Sequence, residues 1–144
     1  MVSPKPDDFP RITAYLYYED VAAACDWLIK AFGFRERFRL PGPDGVLSHA
    51  ELSFADDGIL MLGNPGPDYR APAANHGQLY VYVDDVDAHF ARARDAGAKI
   101  IEEPADQFYG DRRYVAEDPG RQQWSFATRV REVSTEELTQ AQSA

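Results

Sequence analysis

The chain contains an internal repeat in which a strand pattern gives way to a helix pattern at the same point in both copies. The segment TAYLYYEDVAAACDWLIKAFG resembles the later segment QLYVYVDDVDAHFARARDAGA. The repeat pairs Tyr15 with Tyr80 and Tyr17 with Tyr82, an offset of 80 − 15 = 65 residues. Because the repeat preserves a change of period as well as residues, it predicts two copies of one folding unit.

Each copy of the repeat predicts a strand followed by a helix. An alternating pattern rich in Tyr, Val and Ile comes first, as is typical of a half-buried strand. Asp20 and Asp85 then stand where a helix N-cap is expected, and Gly33 and Gly97 stand where a left-handed residue ends a helix. Cys25 belongs to the apolar stripe of the first helix, so we expect it to be a small core residue.

Three further strands follow each helix, separated by segments rich in Gly, Pro and Asp. They are predicted at 34–40, 49–54 and 59–62 in the first copy, and at 99–102, 113–117 and 123–128 in the second. The predicted fold class is α+β, with tandem βαβββ modules that form a cup-shaped mixed sheet with helices on its outer face. We expect a single domain, 1–144, with module one at 9–63, a linker at 64–77, module two at 78–133 and a polar tail at 134–144.

The parity of the strand residues predicts which sheet face is available for function. Successive strand residues point to opposite faces, so the tyrosines of each first strand lie opposite its aliphatic residues. On the third strand, His49 and Glu51 share the face opposite Ala50 and Leu52. For a single tyrosine, an ordinary half-buried strand position is the favoured explanation. Because tyrosines recur at the same parity in both modules, the four tyrosines together favour a ligand pocket with aromatic walls.

Composition and charge exclude several classes of protein. The chain has 24 Asp and Glu against 15 Lys and Arg, a formal net charge of −9, so phosphate backbones and anionic lipid surfaces are repelled. We therefore expect neither nucleic acid nor membrane as a partner. The single cysteine excludes an internal disulfide and a cysteine-based metal site. The start of the chain lacks the apolar core of a signal peptide, which predicts a cytoplasmic protein.

Together with the repeat, two later segments, HAELSF and GDRRYVAEDPGRQQWSFAT, carry a resemblance to a known family. The chain resembles the vicinal oxygen chelate superfamily, which includes glyoxalases, bleomycin-resistance proteins and extradiol dioxygenases, and it looks like the glyoxalase-like subgroup. The resemblance covers about residues 9–133. It implies cup-shaped four-stranded sheets, a small-molecule ligand and a homodimer or a module-swapped arrangement.

The resemblance also indicates where a metal ion is bound in the metal-using members. Their four ligands come from the first and last strands of each module, and these positions fall at Thr13, Met61, Gln78 and Ser125. None of the four supplies an imidazole or a carboxylate, the groups that bind borderline divalent ions. We therefore expect no metal and no other cofactor, which makes the metal-dependent activities of the family poor expectations here.

The predicted site consists of strand residues of one parity with one arginine from the later motif. The predicted ligand-binding residues are Tyr15, Tyr17, His49, Glu51, Met61, Gln78, Tyr80, Tyr82, Arg113 and Ser125. His49 and Glu51 are also the candidate acid/base pair, with a polar contact inside the pocket as the alternative. Parity does not decide between Arg112 and Arg113 as the inward residue.

Other charged or titratable residues are predicted to lie at the surface. His89 falls off the apolar stripe of the second helix, and the charge run 35–39 together with Glu102 and Glu103 is typical of a solvated face.

Three functions fit this pattern. The first is metal-independent binding or sequestration of a small planar or aromatic molecule, with the excess of acid attracting a cationic ligand. The second is a lyase, isomerase or dioxygenase-type enzyme of the same family, which uses His49 and Glu51 either as metal ligands or as an acid/base pair. The third is a regulatory domain whose pocket is filled by its own side chains.

Overall fold

A computed structural model describes residues 2–74 and 76–143 of the chain. The chain divides into two compact units, Met1–Pro72 and Ala73–Ala144. Each unit contains one four-stranded mixed sheet with a helix packed on it, and a further helix lies near the end of the chain. The predicted α+β class and the βαβββ order of both modules are confirmed.

The first unit contains the elements of module one. They are β1 (Ala14–Tyr17), α1 (Val21–Phe32), β2 (Arg35–Pro41), β3 (Leu47–Phe54) and β4 (Gly58–Gly63). The strand order is β1-β4-β3-β2, in which β1 runs parallel to β4 and the other pairs are antiparallel. The first and last strands of the module are therefore neighbours at one side of the sheet.

The second unit repeats this topology. Its elements are β5 (Gln78–Tyr82), α2 (Val86–Asp95), β6 (Lys99–Asp106), β7 (Asp111–Glu117) and β8 (Gln123–Arg129), followed by α3 (Thr135–Ser143). The strand order is β5-β8-β7-β6, and β5 runs parallel to β8. Equivalent strands of the two modules can therefore be compared position by position.

The junction between strand and helix is capped as the sequence predicts. The Asp20 side chain accepts a hydrogen bond from the amide of Ala23 at 3.0 Å, and the Asp85 side chain accepts one from Ala88 at 3.1 Å. Each bond satisfies an amide that has no partner within the helix. Gly33 ends α1 in the left-handed conformation, with φ of 84°.

The core of module one lies between α1 and the helix-facing side of its sheet. Apolar residues of the helix at spacings of three and four meet alternate residues of the strands. The buried set is Val21, Ala24, Cys25, Leu28, Ala31, Phe32, Ala50, Leu52, Leu60 and Leu62. The parity of Ala50 and Leu52 on β3, predicted to lie opposite His49 and Glu51, is therefore the buried one.

The core of module two depends more on aromatic residues. Tyr114, Trp124 and Phe126 are fully buried, and the rings of Trp124 and Phe126 stack with their centroids 5.9 Å apart. The Trp124 indole N–H donates to the buried carboxylate of Asp118 at 3.1 Å. This bond satisfies an indole N–H that is otherwise costly to bury.

His89 is not a surface residue, and the prediction for it was wrong. Its ring lies 4.2 Å from the ring of Phe126, centroid to centroid, and its Nδ1 is 2.6 Å from the Tyr114 hydroxyl. The reason is helical geometry: residue 89 is three positions after Val86, so it shares the helix face that packs on the sheet.

Two strands of module two differ from their predicted limits by two residues or more. β6 continues to Asp106, where a loop was predicted, and β7 begins at Asp111 rather than at Arg113. β6 contains Pro104, which has no N–H to donate. The strand tolerates it because β6 is the edge strand of its sheet and its register shifts twice.

Within the part of the chain that the structure describes, no helix is both long enough and apolar enough to cross a lipid bilayer.

Cys25 provides a test of the module one core. The side chain is fully buried, and burial raises the pKa of its thiol to about 11. We expect the native protein to react with a thiol reagent in mildly alkaline buffer only as fast as it unfolds, while the denatured chain reacts at once. Reaction followed by absorbance, with and without denaturant, checks this. Full reaction of the native protein within the mixing time would contradict the placement of Cys25 in the core.

Candidate functional site

The face of the module one sheet opposite α1 carries two rows of aligned side chains, here called tyrosine face one. One row runs from Tyr15 through Met61 and Glu51 to Phe38. The second row runs from Tyr17 through Gly63 and His49 to Leu40. The structure thus brings the five predicted site residues of module one to one sheet face. Phe38 and Leu40, which the sequence analysis did not include, complete the rows on β2.

Gly63 leaves the space in which the Tyr15 ring lies. A Cβ built at Gly63 lies 2.5 Å from the Tyr15 hydroxyl oxygen and 2.8 Å from its Cε1, distances that real Cβ atoms do not adopt. The tyrosine ring therefore crosses β4 at the residue that has no side chain. This passage lets the Tyr15 hydroxyl reach β3.

A chain of polar contacts begins at the Tyr15 hydroxyl. The hydroxyl lies 2.9 Å from His49 Nδ1, and His49 Nε2 lies 3.3 Å from Glu51 Oε2. A carboxylate only accepts hydrogen bonds, so the neutral imidazole keeps its hydrogen on Nε2 and offers the lone pair of Nδ1 to Tyr15. About a fifth of each of the His49 and Glu51 side chains is exposed, 20% and 17%. The tyrosine itself is 47% exposed.

Arg37 extends this chain at its far end. Its Nε lies 3.8 Å from Glu51 Oε1, and its Nη2 donates to Asp8 at 2.6 Å. The hydrogen bond to Asp8 raises the pKa of the guanidinium, so the charge that faces Glu51 is permanent. Arg37 reaches Glu51 because the register of β2 shifts between Glu36 and Phe38.

Module two presents the equivalent surface, tyrosine face two, with different chemistry. The hydroxyls of Tyr80 and Tyr82 both donate to Asp111 Oδ2, at 2.6 Å and 3.0 Å. Asp111 is 3% exposed. Burial raises the pKa of Tyr80, with the bond to Asp111 adding to the effect, and for Tyr82 the bond to Asp111 is the main cause of a raised pKa. Both phenols are therefore held in their protonated form.

Arg113, not Arg112, lies on tyrosine face two. Its Nη1 donates to the Tyr109 hydroxyl at 3.2 Å and its Nη2 to Glu102 at 3.1 Å, while its buried Nε has no hydrogen-bond partner. Arg112 instead bonds to Asp87 of α2 at 3.1 Å, on the opposite side of the sheet.

The superfamily metal positions do not fit a divalent ion. Met61 supplies a thioether and Thr13 a hydroxyl, and the hydroxyl of Ser125 donates to Gln78 Oε1 at 2.5 Å. That bond uses one lone pair of the only amide oxygen in the set, and none of the four residues supplies an imidazole or a carboxylate. Among residues 2–74 and 76–143, no group of three or more His, Cys, Asp or Glu side chains is placed to hold a metal ion.

A surface cavity of about 530 Å³ lies elsewhere in module one. It is lined by the start of α1 around Glu19 and Val21, by the turn between β2 and β3, and by residues 64–67 with the exception of Pro65. It does not contain the predicted site residues. The tyrosine faces are open sheet surfaces within their own units, so the candidate site is defined by side-chain chemistry rather than by this cavity.

The fold and these faces place the chain in a family. Residues 9–126 match the model of the Glyoxalase/Bleomycin resistance protein/Dioxygenase superfamily. The chain belongs to this superfamily, as its resemblance predicted.

The chain is also similar to individual proteins of known sequence or structure. The chain is 37% identical to the protein Mb0911c of Mycobacterium bovis over 142 residues, which cover 94% of this chain and 93% of that protein. It is 35% identical to TioX from Micromonospora sp. ML1, with a TM-score of 0.69 over 84% of this chain and 99% of that one. A glyoxalase I mutant from Zea mays shares the fold, with a TM-score of 0.68 at 21% identity over 83% of this chain and 44% of that one.

Asp111, Tyr109, Arg37 and Gly63 belong to the tyrosine faces but were not among the predicted site residues. A signal for Asp111 was present, because it is two residues before Arg113 and so shares its parity once β7 is extended by two residues. Arg37 could not be placed by parity, since a register shift lies beside it.

Asp111→Asn tests the carboxylate of tyrosine face two. Replacing the carboxylate by an amide removes the charge that disfavours both phenolates, so Tyr80 and Tyr82 are expected to ionise at lower pH. Ultraviolet absorbance of phenolate during a pH titration measures the shift, with Tyr82→Phe showing which component belongs to Tyr82. We expect unfolding free energy to fall by about 1–3 kcal/mol, because hydrogen bonds to a charged acceptor are replaced by neutral ones. An unchanged titration curve would contradict the bonding to Asp111.

Proposed function

We propose that this protein binds a small planar or aromatic molecule on its tyrosine faces without a metal ion. The observation that carries the proposal is the combination of an aromatic, polar face on each module with a set of superfamily metal positions that holds no imidazole or carboxylate. Exposed tyrosine rings offer flat apolar area with a polar edge, which suits stacking on an aromatic ligand. Tyr17 and Tyr82 are 53% and 57% exposed.

The charge of the protein favours a cationic ligand. The formal net charge is −9, and on tyrosine face two the Asp111 carboxylate accepts hydrogen bonds from the hydroxyls of Tyr80 and Tyr82. A cation above a tyrosine ring is attracted by the ring, and a carboxylate bonded to the phenol adds to this attraction. Arg113 lies on the same face, and its pairing with Glu102 balances its charge locally.

This function requires no turnover, so a sequestered ligand is recovered unchanged.

An enzymatic function of the same superfamily is the second candidate. The contact chain from Tyr15 through His49 to Glu51 favours it, because a base oriented by a carboxylate is typical of acid/base catalysis.

Binding is tested with three ligands that share one ring system: naphthylmethylamine, naphthylmethanol and naphthoic acid. We expect the cationic amine to bind most tightly and the acid least, measured by titration calorimetry. Tyr17→Leu and Tyr82→Leu remove a ring, and each is expected to weaken binding of the amine by about 1 kcal/mol, roughly fivefold. Tyr17→Phe and Tyr82→Phe keep the ring and are the matched controls.

Equal binding of all three naphthyl compounds would contradict the charge argument. Loss of binding in the Phe variants as large as in the Leu variants would contradict ring stacking. Chromatography of the ligand after release from denatured protein separates the two candidates, since a binding protein returns it unaltered and an enzyme returns a product.

Metal independence has a separate test. Thermal unfolding of the purified protein is measured with Zn, Ni, Fe and Mn ions. We expect no stabilisation by these ions, because Thr13, Met61, Gln78 and Ser125 supply no ligand suited to them. One-to-one uptake of an ion, together with a rise in melting temperature, would favour the metal-dependent enzyme.

We also propose that the protein is a cytoplasmic homodimer. Phe38 and Leu40 on the edge strand β2 are 44% and 48% exposed, and apolar exposure of this kind supports association with a second chain. Sedimentation equilibrium measures the mass in solution, and a mass of one chain at all concentrations would contradict the dimer.

A further inference from the structure

The two modules hold equivalent tyrosines against different partners. Tyr15 and Tyr80 are equivalent in the repeat. Tyr15 aligns with Met61 of β4, and Tyr80 aligns with Ser125 of β8. The Tyr15 hydroxyl meets an imidazole nitrogen at 2.9 Å, whereas the Tyr80 hydroxyl donates to the Asp111 carboxylate at 2.6 Å. The partner of Tyr15 is thus a base that can take a proton.

The geometry around His49 is that of an oriented base. Glu51 Oε2 lies 3.3 Å from Nε2 and fixes the hydrogen there, so that Nδ1 accepts from Tyr15. If the ring takes up the phenolic proton, the resulting imidazolium faces the Glu51 carboxylate, which stabilises it. Nucleophile, base and carboxylate then stand in the order typical of activated hydroxyl nucleophiles.

We propose that Tyr15 is a nucleophile of this protein and that it accepts acyl groups from aryl esters. His49 activates Tyr15 as a base, and Glu51 orients His49. This step goes beyond reversible binding. The phenol is 47% exposed on an open sheet face, so an electrophile can reach its oxygen. Tyr17 is an internal reference, because it is 53% exposed and is therefore similarly accessible to the ester. Its ring centroid lies 5.9 Å from that of Tyr15.

The step balances without a further reactant. The Tyr15 oxygen attacks the acyl carbon of the ester while the phenolic proton moves to His49 Nδ1. A bond forms between the Tyr15 oxygen and the acyl carbon, and the bond from that carbon to the leaving oxygen breaks, with the electron pair going to the leaving phenolate. The proton on His49 then passes to the leaving group or to water, and no atom is oxidised or reduced.

Tyr80 and Tyr82 are expected to be slow in the same reaction. Their shared partner, Asp111, is a buried carboxylate, and its negative charge disfavours a second negative charge on the phenol oxygen. The raised pKa of both phenols agrees with this. The wild-type protein therefore contains both the activated tyrosine and its controls.

The probe is p-nitrophenyl acetate, and the readout is the acetylation rate of each tyrosine by peptide mass spectrometry, with release of p-nitrophenolate followed by absorbance. We expect Tyr15 to be acetylated at least about tenfold faster than Tyr17, Tyr80 or Tyr82, since a positioned general base contributes this much or more. Comparison within the wild-type protein requires no variant to fold.

Three substitutions separate activation from simple exposure. Tyr15→Phe is expected to abolish the fast release of p-nitrophenolate. His49→Gln keeps a hydrogen-bond acceptor for Tyr15 but cannot take its proton, and it is expected to lower the Tyr15 rate to that of Tyr17. Glu51→Gln keeps an acceptor for Nε2 without the charge, and an intermediate rate is expected.

The proposal is overturned if Tyr15 reacts no faster than Tyr17, if His49→Gln leaves the Tyr15 rate unchanged, or if the acetyl group is found on His49 instead. Failure of this proposal differs from failure of the binding proposal. Binding of naphthylmethylamine is measured without any ester, and Tyr15→Phe keeps the ring that binding requires. A protein that binds the amine but shows no fast acetylation would refute only the nucleophile.

Discussion

The packing of one helix against one face of each four-stranded sheet determines which residues are available for function. In module one, α1 covers the alternate strand residues that include Leu52 and Leu62, which are buried. Because side chains alternate between the two faces of a strand, the remaining strand residues must point to the sheet face opposite α1. Ala50 beside His49 is buried, and Ala14 and Leu16 beside Tyr15 are half-buried on the same side of the sheet, so Tyr15 and His49 lie together on the opposite face.

The same constraint explains how much of the site the sequence could predict. Periodicity and turn residues were sufficient for the βαβββ order, the caps at Asp20 and Asp85, and the common face of Tyr15 and His49. Long-range partners were not predictable, because they depend on register and on side-chain direction. His89 was assigned to the surface although its position, three residues after Val86, already gave it the buried helix face.

The charged residues show a second limit of sequence reasoning. Four of the five residues in the run 35–39 are exposed, as expected of a solvated face, but the ion contacts of Arg37 with Glu51 and of Arg39 with Asp26 of α1 were not predicted. Arg37 and Arg39 therefore contact residues on opposite faces of the sheet. The register shift between Glu36 and Phe38 determines which arginine lies on which face. A shift of this kind depends on backbone packing and has no reliable signature in residue type.

The different chemistry of the two tyrosine faces follows from equivalent register positions. Gly63 of module one corresponds to Ala127 of module two, since each aligns with the second tyrosine of its first strand. The space that admits the Tyr15 ring over β4 is thus filled by a methyl group in module two. By the same alignment His49 corresponds to Arg113, so the base is replaced by a permanent cation. One repeat unit has in this way produced an imidazole-bonded phenol in one module and two carboxylate-bonded phenols in the other.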